Sequence, residues 1–153
     1  MKITGEFTVE APRAAVFDKL RDAPSFASYL DGVSELSQID ADRYEAVLET
    51  KVGFMKFCFD VNVRMLRVEA PDIVEARIEG VPKGIVGRLT ATSVTRLVED
   101  GDATRVRYEM DTALTGRLGS LGQPVVRAKA KEMEKQFVTR LRAAFAPTPG
   151  ESR

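Results

Sequence analysis

TRVRYEMDTALTGRLGSLGQPVVRAKAKEMEKQF, residues Thr104 to Phe137, joins two different periodicities across a break. Val106, Tyr108, Met110, Thr112 and Leu114 alternate with Arg105, Arg107, Glu109 and Asp111, the period of a strand with one dry and one wet side. From Pro124 to Phe145 the apolar residues Val126, Ala130, Met133, Phe137, Leu141 and Phe145 recur three or four apart, which predicts an amphipathic helix. Between the two stand Gly116, Gly119 and Gly122. Glycine inside a helix costs about 1 kcal/mol relative to alanine, so these three mark a crossing rather than a continuous element. Pro124 suits the first turn of the helix beyond it.

Upstream, residues 2 to 10 alternate through Ile3, Gly5, Phe7 and Val9 and read as a strand. Pro12 opens a helix to about residue 21, and Asp22 can cap a second short helix carrying Phe26, Tyr29 and Leu30, ended by Asp31-Gly32. RYEAVLETKV, FMKFCFDVNVRML, DIVEARIE and RLTATSVTRLV then repeat the period of two, with turns expected at 39–42, 52–53, 70–72, 80–84 and 99–102. The order is one strand, two short helices, about six antiparallel strands and one long helix. It predicts an α+β fold: a curved antiparallel sheet of six to seven strands wrapped around a long C-terminal helix, with a cavity between helix and sheet. Residues 1–146 read as one domain and 147–153 as a disordered tail.

The dry face supplies the candidate ligand cavity: Phe26, Tyr29, Tyr44, Leu48, Thr50, Phe57, Phe59, Tyr108, Met110, Thr112, Leu114, Val126, Met133 and Phe137. Ordinary core is the competing reading for each of them. As a set they place the hydroxyls of Tyr44, Thr50, Tyr108 and Thr112 on an apolar face, the composition of a small-molecule pocket. Gly116, Gly119 and Gly122, facing the 80–84 loop with Val81 and Pro82, are a candidate gate, against the plainer reading of a turn and a helix start.

Composition narrows the chemistry. The 153 residues include 23 basic and 23 acidic side chains, a balance that gives no general attraction to nucleic acid. There is no histidine and one cysteine, Cys58, so Ser-His-Asp and Cys-His catalysis, Cys/His zinc sites and an internal disulfide are all excluded. No metal, cofactor, catalytic residue or covalent nucleophile is expected, and Cys58 reads as an incidental thiol. The glycine-rich phosphate loops are missing as well. MKITGEFTVEAP lacks the apolar core of a secretory leader and no window approaches the roughly 20 apolar residues of a membrane span, so the chain reads as cytoplasmic. Between residues 127 and 142 the last helix carries six basic and two acidic residues. Arg127, Lys131, Lys135 and Arg142 are the candidate patch for a membrane or an acidic partner, with a solvated helix face as the alternative.

Three stretches carry a resemblance to a known family: MKITGEFTVEAPRAAVFDKLRD, YLDGVSELSQIDADRYEAVL and LTGRLGSLGQPVVRAKAKEMEKQFVTRL, the last with Leu-Gly-Gln before the helix and a late Gln-Phe. Together they resemble the START-like (SRPBCC) helix-grip superfamily, and within it the CoxG branch, named for the G subunit of carbon monoxide dehydrogenase. The likeness spans residues 1 to about 145. It implies a non-catalytic protein that holds a hydrophobic small molecule, lipid or quinone-like, and serves a molybdenum-containing CO dehydrogenase-like oxidoreductase and its peripheral membrane association. Two departures stand out. Leu30-Asp31-Gly32 replaces the family's Ile-Pro-Gly, removing proline's rigidity, and the sequence stops at Arg153 without the apolar extension of some members. A polyketide cyclase/dehydrase-like enzyme is the alternative on this fold and would depend on Tyr44, Tyr108 or Lys129. A chaperone activator is a third reading with no motif to support it.

Overall fold

In the computed structural model, which describes residues 1–146, the chain runs β1 (Lys2–Val9), α1 (Arg13–Arg21), α2 (Ala23–Ser28), β2 (Val33–Gln38), β3 (Arg43–Val52), β4 (Met55–Glu69), β5 (Ile73–Pro82), β6 (Gly87–Asp100), β7 (Ala103–Gly116) and α3 (Gln123–Phe145). The tail expected at 147–153 lies outside the described residues. All seven strands pair antiparallel in the order β1-β7-β6-β5-β4-β3-β2, so β1 and β2 are the two rims. The α+β architecture expected from the alternation is the one observed.

Local signals explain the short helices. Pro12, extended at φ −62°, precedes α1, whose Val16, Phe17 and Leu20 are buried. The Asp22 carboxylate accepts from the Ser25 backbone N–H at 3.1 Å and starts α2, with Pro24 in its first turn.

Three expectations are corrected. β2 is absent from the sequence reading because VSELSQ has no apolar alternation; its residues after Val33 are exposed and it is held by backbone pairing to β3 across a register shift. The turn expected at 80–84 starts later: Gly80, Val81 and Pro82 pair with Val61, Asp60 and Phe59, which makes Val81 and Pro82 strand residues rather than loop. The glycine crossing is no open hinge either. Residues 117–121 wind into a 3-10 turn anchored by Leu118, which is 1% exposed. Gly116 and Gly122 do adopt positive φ, 62° and 86°, but Gly119 does not. A side chain at Gly116 would run into the Val86–Gly87 backbone, so the close approach there is what demands glycine.

Helix α3 is fastened along the β1 rim and, across the sheet, to the turn that precedes β2. Toward β1, Arg127 donates to the Lys2 carbonyl at 2.8 Å and Arg142 donates twice to the Thr8 carbonyl at 2.9 and 3.0 Å. On the other side it clasps the turn before β2. Arg140 donates to Asp31 Oδ1 at 2.6 Å, the Gln136 amide donates to Oδ2, and the Asp31 N–H donates back to Gln136 Oε1 at 2.9 Å. The rigidity that proline would lend at position 31 is thus replaced by a fork of side-chain bonds. Next to it, Phe137 meets Phe26 at 4.7 Å and Tyr29 edge-on at 5.5 Å between ring centres.

The interior divides in two. Val9, Val16, Phe17, Leu20, Tyr29, Leu97, Val106, Phe137 and Leu141 form one buried cluster under α1 and α2. Phe57, Phe59 and Leu118, with Leu48, Val52, Val61, Ile85, Leu89, Leu114 and Leu121 packed around them, form another near the start of α3.

Asp31 provides a pH test of the clasp. The Arg140 hydrogen bond, aided by its charge and by Gln136, holds the Asp31 carboxyl below the ordinary carboxylate value. A lowered folded-state pKa stabilises fully above the unfolded value, about 3.9, and that contribution is lost as pH falls through the folded value. Thermal melts of Asp31→Asn should therefore decline less steeply than wild type below about pH 4, with the two curves differing most at neutral pH.

Candidate functional site

The site is built up from a missing side chain. Gly5 on β1 lies opposite Tyr108 on β7, and a Cβ there would overlap both the Tyr108 ring and the Glu134 carboxylate. The vacancy lets Tyr108 lean under α3, where its hydroxyl donates to Glu134 Oε1 at 2.7 Å. Burial, followed by the hydrogen bond and the charge of Glu134, pushes the Tyr108 phenol well above its ordinary pKa. The phenol therefore keeps its proton throughout the neutral range, and Glu134 acts as its acceptor.

This pair lies outside both buried clusters, in the stretch of concave face between them. Its surroundings are set by the register. Thr95 lies opposite Tyr108 and Ser93 opposite Met110 on β6, rows that continue to the buried Val74 and Ala76 on β5, while Tyr44, Val63 and Ile78 on β3, β4 and β5 form the next row, which meets β7 at Thr112 through Ala91. Although the small residues Ala76 and Ala91 between them are buried, Tyr108, Met110, Ser93, Thr95, Tyr44, Val63 and Ile78 are only half-buried, as are Ala130, Met133 and Glu134 on the helix above. A helix that rested on the middle strands would bury them. Instead α3 makes its main approaches to β1 and β3 and bridges the centre.

The sequence-predicted residues divide among several places. Tyr29 and Phe137 belong to the first cluster with Phe26 against them, and Phe57, Phe59, Leu48 and Leu114 to the second. Tyr44, Tyr108, Met110 and Met133 occupy the stretch between. Thr112, Leu114 and Val126 line a cleft of about 280 Å³ at the start of α3, together with Leu118, Gly119 and Gly122. Thr112 is 5% exposed and its hydroxyl has no partner among the described residues, whereas Thr104, eight residues earlier on the same strand face, donates to the Ala11 carbonyl at 2.8 Å. Thr50 lies in register with Phe57 near the β3–β4 turn.

Glu134, Gly5, Ser93 and Thr95 escape the sequence reading. Glu134 comes four residues after Ala130 and three before Phe137, so the helical stripe places it inward, but its charge assigns it to the surface. In RLTATSVTRLV both alternating sets contain hydroxyl residues, which hides the inner face of β6. The basic patch is also reduced: Arg127 and Arg142 are spent on β1 carbonyls, while Lys131 and Lys135 stay exposed without an ion pair among the described residues.

Among the described residues no group of His, Cys, Asp and Glu could hold a metal ion, and no helix is long and apolar enough to cross a membrane. A bar-like last helix spanning a seven-stranded antiparallel sheet, with two short helices after the first strand, defines the START-like helix-grip class. A START superfamily protein from Mycobacterium smegmatis is similar over 94% of this chain and 95% of its own, at TM-score 0.68 and 10% identity. A conserved protein from Geobacillus kaustophilus is similar at TM-score 0.86 and 19% identity, covering 94% of each chain, and a protein from Rhizobium loti at 0.67 and 17%, covering 94% and 95%. At these identities the likeness shows the fold. No curated protein matches the sequence significantly. The CoxG family, that of the carbon monoxide dehydrogenase G subunit, matches over residues 5–146, and the chain belongs to it.

Two substitutions separate the polar groups of this face. Tyr108→Phe should destabilise the protein by about 1–3 kcal/mol by stranding Glu134, and adding Glu134→Leu should restore much of that, a coupling visible in denaturant melts of the double-mutant cycle. Thr112→Val removes an unpartnered buried hydroxyl and should raise stability by about 1 kcal/mol in the same assay.

Proposed function

We propose that this protein is a non-catalytic carrier holding a hydrophobic small molecule, lipid or quinone-like, under α3, as an accessory to a CO dehydrogenase-like molybdenum oxidoreductase. Membership of the CoxG family supports an accessory, ligand-binding role in general. The observation that carries the ligand reading is the half-buried apolar stretch between the two clusters, with one Tyr–Glu pair in its wall. Apolar walls with a few fixed polar groups suit a ligand that is mostly hydrocarbon with a polar end. In this reading Tyr44, Met110 and Met133 touch the ligand, Tyr108 and Glu134 orient it, and the cleft beside the 116–122 crossing is the way in.

The cyclase alternative has one observation in its favour, the same Tyr108–Glu134 pair. Its weakness is chemical. Tyr108 holds its proton tightly and already donates it to Glu134, so no free acid is left to polarise a substrate carbonyl.

Organic extraction and native mass spectrometry of the purified protein are the direct test. One apolar molecule per chain is expected, and a Met133→Trp variant that fills the bridged space should come out without it while still folding. Ligand-free wild type that also takes up no lipid or quinone analogue would sink the carrier reading.

A further inference from the structure

The end of the sheet where α3 begins carries a feature that neither packing nor the carrier reading uses. β3 and β4 join through the two-residue turn Gly53-Phe54, with Val52 paired to Met55 and Lys51 to Lys56. Glycine at φ 63° in the first position meets the need of such a turn, and nothing in its geometry asks for an aromatic in the second. Phe54 is nevertheless fully exposed, beside a half-exposed Met55. The β5–β6 turn at the same end presents Val86, 81% exposed. Pro82, the last residue of β5, pairs with Phe59, so β4 runs on by four residues, about 13 Å, past the end of β5 to reach the β3–β4 tip.

From this geometry we propose that the β3–β4 tip docks on an anionic lipid surface, Phe54 inserted among the acyl chains and Lys51 and Lys56 at the headgroups. An isolated aromatic standing clear of its neighbours needs surroundings that close on it from every side, which a fluid bilayer supplies and a rigid partner supplies only with a matching pocket. Charge complementarity points the same way. Lys51 and Lys56 face each other across the hairpin as like charges, exposed and without an ion pair among the described residues, an arrangement that costs energy until anions gather around it. Aromatic tip and basic collar reproduce the order of a membrane interface, ring deeper and ammonium at the phosphates. The α3 stripe lacks this order, because two of its four cations are bonded to β1. The proposal stands whether or not a ligand occupies the space under α3.

Co-sedimentation of the full chain with vesicles of phosphatidylcholine, with and without about one quarter phosphatidylglycerol, tests it. Wild type should bind the anionic vesicles and release as salt is raised. Phe54→Ser should weaken that binding by about tenfold without changing the melting temperature, since the side chain contacts nothing in the fold. Lys51→Glu with Lys56→Glu should abolish the preference for phosphatidylglycerol, and Lys131→Glu with Lys135→Glu should leave binding as it was. Equal binding by Phe54→Ser and wild type, or loss of binding only in the α3 variant, would overturn the assignment. No vesicle binding together with Phe54-dependent self-association in sedimentation would overturn it too, and give the tip to a second copy of the chain.

Discussion

The structure depends on how α3 is fastened. A helix laid across a curved sheet can sink onto its middle strands and close the core, or it can be held at the edges and span the concavity. Here the edges win, because the strongest polar bonds that α3 makes are at its sides. Two arginines reach the outward carbonyls of β1, and Gln136 and Arg140 seize the turn before β2. Charge-assisted bonds of this kind are about twice as strong as neutral ones, and they set the height of the helix over the sheet. Phe137 and Leu141 of α3 join the cluster under α1 and α2, the cluster around Phe57, Phe59 and Leu118 is built among the described residues without α3, and Ala130, Met133 and Glu134 of the helix stay half-buried.

That arrangement gives meaning to residues that would otherwise look unrelated. Gln136-Phe137, adjacent in sequence, act in different ways at one place: the amide holds Asp31 and the ring packs on Phe26 and Tyr29. Gly5 makes room for a phenol, and the phenol gives a helical glutamate its partner. The absence of histidine removes most neutral-pH acid–base chemistry from a face whose polar groups are a tightly held phenol, its carboxylate acceptor and the hydroxyls of Tyr44, Ser93, Thr95 and Thr112.

Most of the fold is legible in the sequence because period-two and helical patterns report burial directly, and in β3, β4, β5 and β7 the alternation places the inward residues on the right face. β2 is not legible, since a rim strand held by backbone bonds leaves no apolar trace. The glycine crossing shows its place but not its shape, because Leu118 closes the 3-10 turn through contacts with β4 that lie about 60 residues away in the chain. The site is half legible. Tyr108 stands out as a hydroxyl on a dry face, while Glu134 looks like any charge on a helix until its partner across the fold is known.

The arginine bonds to β1 also protect an edge. A seven-stranded sheet that does not close into a barrel has rims whose free backbone groups invite a strand from another molecule. By occupying the Lys2 and Thr8 carbonyls, the α3 arginines cap two of the free acceptors on the edge of β1. The bonds that fasten α3 along β1 are therefore also those that guard this rim against a stranger's strand. Any motion lifting α3 away from β1 would uncover the rim in the same stroke, so under the proposed carrier reading a guest that slips past the ends of the helix leaves the rim guarded and one that requires the helix to rise exposes it.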